Sequence, residues 1–165
     1  MKSPHLLRVG ANVRKLKDNL VNVVDSTAIS AIEGEIRSNA AQLFALGRLH
    51  YQFGARQNNR AWRQKISRLY YGAYNVSRAV RLCVHGEYST DSGDHKKIET
   101  LPDDFPNRSR YSNRLAALRE DRNLCDYDHT AKLADRVVGV EEAKELVREL
   151  LQDAQSYLKS RGVSL

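Results

Sequence analysis

The chain has 165 residues, a formal net charge of +7 and 41% apolar residues, enough for one globular domain with a real core and too few Pro and Gly for long disordered tracts. No apolar run approaches the roughly 20 residues that span a bilayer. The start MKSPHLLRVG lacks a secretory h-region, and Cys83 and Cys125 are too few for a disulfide framework, so a cytoplasmic protein with reduced thiols is expected.

The elements read as helical almost throughout. Leu6, Val9, Val13, Leu16, Leu20 and Val23 recur at alternating steps of three and four, a heptad-like stripe that predicts one N-terminal helix. A second helix is expected from about Ser26 to Phe53, with Ile29, Ile32, Ile36, Ala40, Leu43 and Leu46 inward and Gly54 as its stop. The third runs from about Asn59 to His85, with Trp62, Ile66, Leu69, Ala73, Val76, Val80 and Val84 on one side and Gly86 closing it. Residues 86 to 109 are polar and hold Pro102 and Pro106, so a long loop is expected, with a short helical turn near His95 to Glu99. Within it Asp103 and Asp104 read as solvated charge. A fourth helix is expected over about Arg110 to Asp128. The fifth spans Val140 to Arg161, with Ala143, Leu146, Val147, Leu150, Leu151, Ala154 and Leu158 in register. The fold class is therefore all-α: an antiparallel bundle of four or five helices over 26–165, with an extra helical extension over 1–25.

Charge is distributed unevenly. Residues 1 to 85 carry fourteen Lys/Arg against four Asp/Glu, and residues 86 to 165 carry thirteen against sixteen. The basic half favours a polyanion or an acidic partner. On the third helix Arg60, Arg63, Arg78 and Arg81 share one sector at 100° per residue, with Tyr70 and Tyr74 between them and the apolar stripe. Guanidinium groups beside aromatic rings suit RNA. The same pattern also describes a solvated face with tyrosines at its boundary, hydroxyls in water and rings in the core.

On the fourth helix Tyr111, Leu115, Leu118 and Cys125 fall in one narrow sector, and Arg122 and His129 fall there too. Charged groups are seldom placed on such a stripe unless paired. Asp126 is spaced to pair with either, which describes an ordinary helix end. Alternatively, the two form a phosphate site: Arg122 offers a planar fork to phosphate oxygens, and His129 exchanges a proton near neutral pH.

The stretches SRLYYGAYNVSRAVRLCVHG, DHKK and LREDRNLCDYDH, in that order, resemble the HEPN superfamily. The closest resemblance is to a branch with a YYA.F helix, an SHK-like loop and an R..ADYD helix. It covers about residues 40 to 161. The resemblance implies a helical bundle, usually a homodimer, and for many members metal-independent ribonuclease activity in toxin–antitoxin or antiphage systems. The family's arginine–polar–histidine motif then falls on Arg122, Asn123 and His129. Arg78, Arg81 and Tyr74, from the arginine sector of the third helix, and Arg119 are the expected RNA contacts. No cofactor or metal is expected. RNA, a second copy of the chain and a nucleotidyltransferase-type antitoxin are the expected partners, with no membrane. Ala131 stands where the common toxin form has a tyrosine that can be adenylated, so that modification is not expected. His95 resembles the loop motif's histidine and is expected to tie its own backbone, and Tyr127 to pack. The alternative function is a noncatalytic binding module for RNA, a nucleotide or a protein. What separates the two is whether His129 joins Arg122 in one cleft or faces solvent beyond the helix end.

Overall fold

A computed structural model describes residues 5–10 and 12–165; the first part of the expected 1–25 extension, residues 1–4, lies outside it, as does residue 11. Six α-helices follow in order: α1 (His5–Val9), α2 (Val13–Leu20), α3 (Ser26–Arg56), α4 (Trp62–His85), α5 (Arg108–Tyr127) and α6 (Val140–Lys159). Short 3-10 turns lie at Asn59–Ala61, Ser92–Lys97 and Leu133–Asp135. The described residues are all-helical, as the periodicity predicts, and none of their helices is long and apolar enough to cross a membrane.

Helix α4 is the axis of the molecule, packed against α3, α5 and α6. It buries Ile66, Leu69, Ala73, Val76 and Val80 completely. Its partner α3 runs antiparallel, with Gly47 against Val76 and Gly54 against Leu69. The approach is close: a Cβ on Gly47 would sit 2.8 Å from the carbonyl oxygen of Gly72. Gly54 does not stop α3, as its composition suggested; the helix continues to Arg56, and Gly54 instead lets α4 in, since a Cβ there would lie 3.1 Å from Arg68 Cβ. Helix α5 is antiparallel to α4, and α6 lines the other side with Ala143, Leu146, Val147, Leu150, Leu151, Ala154 and Leu158 all buried, as its stripe predicts.

The single N-terminal helix is corrected. The chain breaks between α1 and α2, where Asn12 leaves the helical region and its side chain accepts from Lys15 N at 2.9 Å as an N-cap. The stripe holds only in part: Val13 is buried as expected, Val9 and Val23 are well exposed, and Leu7, outside the stripe, is buried. Gly86 explains the docking. It closes α4 in the left-handed region (φ 69°) and its carbonyl accepts from Val13 N at 2.9 Å. A Cβ there would meet Arg14 N at 2.4 Å.

The polar 86–107 segment is more closely sewn into the core than its composition suggests. Ile98, Leu101 and Phe105 are buried, and Ser77 Oγ donates to Ile98 O at 2.8 Å. Asp104 is not merely solvated: it accepts from Tyr157 Oη at 2.6 Å and pairs with Arg161. The loop lacks the period of a helix or strand, so its apolar residues give no pattern to read.

Candidate functional site

Arg122 is placed by α5 so that its guanidinium lies against two tyrosines of α4. Nη2 donates to Tyr71 Oη at 2.6 Å and Nη1 to Asn123 Oδ1 at 3.1 Å. Nε stands 2.8 Å from Asp126 Oδ2, an ion pair whose N–H direction misses a hydrogen bond. The group also lies over the rings of Tyr70, Tyr71 and Tyr127, 5.2–5.6 Å from their centroids.

Arg122 faces a cleft of about 490 Å³ lined by Ser92, His95, Lys96, Arg119, Glu120, Asn123 and Tyr127 as well. One wall is the 92–97 turn and the other is α5. Arg119 bridges them, donating to Lys96 O at 3.2 Å and to Glu99 Oε2 at 3.3 Å. Among the described residues Lys96 has no ion-pair partner. Three basic side chains share this concave surface; Glu99 and Glu120 meet Arg119 and Asp126 meets Arg122, which leaves Lys96 as the one of the three without a carboxylate partner among the described residues. Tyr127, expected to pack, is 74% exposed at the rim.

His95 was expected to tie its own backbone; it instead turns into this site. Its Nδ1 is 2.7 Å from Tyr70 Oη, and its ring stacks on Tyr74 with centroids 4.3 Å apart. Burial, then the nearby Arg122 charge, hold its pKa below the ordinary histidine value. His95 is thus neutral at pH 7.

His129 does not share the line along α5 on which 100° spacing put it. The helix ends at Tyr127, and His129 sits exposed in the following turn. Two contacts explain the ending. Asp128 Oδ1 accepts from Thr130 N at 2.8 Å, a local turn that competes with the helix. Arg63, reaching from α4, donates to the carbonyls of Leu124, Cys125, Asp128 and Ala131. His129 is not in the lining of the cleft that holds Arg122 and Asn123.

The arginine ridge of α4 is also corrected. Arg81 is 1% exposed and meets Asp94 with two contacts of 3.2 Å, so it presents no fork to a phosphate. Arg78 donates to Ser89 O at 2.7 Å and stands 3.4 Å from Asp94 Oδ2. Tyr74 is buried and donates to Asp94 at 2.9 Å, rather than placing its hydroxyl in water. These three side chains clamp the 92–97 turn onto α4. Of the expected RNA contacts, only Arg119 lines the cleft. His95 and Tyr127, expected to be structural, and Lys96, not singled out, line the cleft as well; the DHKK stretch holds His95 and Lys96.

Comparison with protein-family models, with curated proteins and with solved structures gave no match.

Proposed function

We propose that the protein is an RNA-binding module of HEPN type that holds single-stranded RNA in the cleft between the 92–97 turn and α5. The observation that carries this reading is the convergence of Arg119, Arg122 and Lys96 on one concave surface with the exposed ring of Tyr127 at its rim. The guanidinium groups take phosphate oxygens, and the ring offers a stacking platform to an unpaired base. Apolar residues Leu46, Leu49 and Phe53 stand exposed along α3 and support a homodimer as the working form.

A second reading, the metal-independent endoribonuclease, keeps one support. His129 is exposed and, among the described residues, makes no side-chain hydrogen bond. It requires His129 to reach a phosphate held by Arg122, which the end of α5 at Tyr127 disfavours.

The test is titration of a labelled single-stranded RNA, beside its duplex, with chelator present and the RNA recovered afterwards. The binding reading expects intact RNA, preference for the single strand, and loss of affinity in Arg122→Ala. Cleavage that disappears in His129→Ala establishes the nuclease instead. Equal binding by parent and Arg122→Ala refutes the cleft.

A further inference from the structure

We propose that His95 is a specificity-determining donor in this cleft: Tyr70 donates to its Nδ1 and fixes the neutral tautomer that turns an Nε2–H toward a phosphate oxygen. The inference rests on the RNA-binding reading for its ligand, but the tautomer is a property of the free protein.

Tyr70 is completely buried, and among the described residues its hydroxyl has one partner, His95 Nδ1. If Nδ1 carried the proton, the Tyr70 hydroxyl hydrogen would be enclosed without an acceptor, which costs its full desolvation. Donation from Tyr70 to Nδ1 leaves nothing unpaired. Nδ1 is then the acceptor, and the imidazole proton resides on Nε2. Among the described residues Nε2 has no protein partner, it is not one of the enclosed unpartnered atoms, and His95 lines the cleft.

The surrounding groups favour the same state. From α4, Tyr70, Tyr71, Tyr74 and Arg78 face the ring; from α5, Arg122 does; from its own turn, Asp94 does. Arg122 and Arg78 oppose a further positive charge, and the one carboxylate, Asp94, is committed to Arg81 and Tyr74. A neutral Nε2–H has no lone pair with which to remove a proton. His95 therefore recognises its ligand and does not act as a general base. The Nε2–H is present whether or not Nδ1 gains a proton, so the donor itself does not depend on the charge of the ring.

The test has two arms. Two-bond proton–nitrogen correlation on 15N-histidine protein, with His95 assigned by its loss in His95→Gln, should show Nε2 protonated, Nδ1 bare, and titration below the ordinary value of 6.5. In Tyr70→Phe, which removes the donor at Nδ1, the midpoint should rise. In the second arm a labelled single-stranded RNA is titrated from about pH 8 to about pH 6. The affinity of Tyr70→Phe should increase toward low pH more than that of the parent. His95→Phe should weaken binding about tenfold, while His95→Gln, which keeps an amide donor near Nε2, should stay within about threefold. A proton on Nδ1, or an ordinary midpoint, overturns the tautomer. Equal affinity of His95→Phe and the parent overturns the donor role. Failure of the parent to bind RNA overturns the binding reading and with it the ligand, and leaves the tautomer to the first arm.

Discussion

Arg81 and Arg122 look alike by sequence and differ in what surrounds them. Each sits on a helix of the bundle, beside tyrosines. Arg81 is closed in: Asp94 meets it with two contacts, and Asp94 in turn takes Tyr74 and Arg78. Arg122 opens on a cleft, with the half-exposed Asp126 as its carboxylate. The first arginine holds the 92–97 turn to α4; the second, 9% exposed, is held by Tyr71, Asn123 and Asp126 and borders the cleft. Helical angle says in which direction a side chain leaves its own helix. Whether it meets a buried carboxylate or solvent depends on a distant segment.

The comparison breaks most visibly at Asp94. Asp94→Ala leaves the buried Arg81 with only Glu87, 3.8 Å away, as counter-charge and should cost about 3–5 kcal/mol in chemical denaturation. Burial by itself would raise the Asp94 pKa, but the hydrogen bonds and charge of Arg81, then Tyr74 and Arg78, outweigh it and hold the carboxyl below its usual 3.8. A depressed folded pKa adds stability above the unfolded value, and that stability is lost as pH falls below it. The parent should therefore lose stability below about pH 4, and Asp94→Asn should lose less over the same interval. At the other arginine the effect should fall on binding. Arg122→Ala should weaken RNA affinity by about 10- to 100-fold, and Arg122→Lys should recover only part, since it keeps the charge without the fork.

Smaller effects sharpen the contrast. Arg63→Ala removes the donor that gathers four carbonyls at the end of α5 and should cost about 1–2 kcal/mol. Amide exchange around Asp128 to Ala131 should accelerate with it. Tyr127→Ala should weaken binding of single-stranded RNA by about tenfold with little change in stability. His129→Ala should change stability by less than about 0.5 kcal/mol, as expected of an exposed turn residue, and leave affinity unaltered.

How much of this was legible varies by element. The α6 stripe and the Gly86 stop could be read because one helix facing one core leaves a complete local signature. Gly54 could not: a glycine that ends a helix and one that admits a neighbour are the same letter, and Arg68 and Leu69 decide between them. The break before α2 had a visible sign in Asn12, a good N-cap, overridden by an apolar stripe that ran across it. In the site, Arg119, Arg122 and Asn123 were legible on α5. The displacement of His129 was only half so. The Asp128–Thr130 turn is local, but Arg63 stands some sixty residues away in sequence. His95 was misjudged because its partner, Tyr70, lies on another element.

The most direct test of the account is the salt dependence of RNA binding. Each phosphate contact on a single strand contributes about 0.7 to the slope of log affinity against log salt. Replacing both Arg119 and Arg122 with alanine should flatten the slope by about 1.4, while Arg60→Ala, on the α4 side, should leave it unchanged. A slope that survives the double replacement, in a protein that still folds, would place the phosphates elsewhere and contradict the cleft.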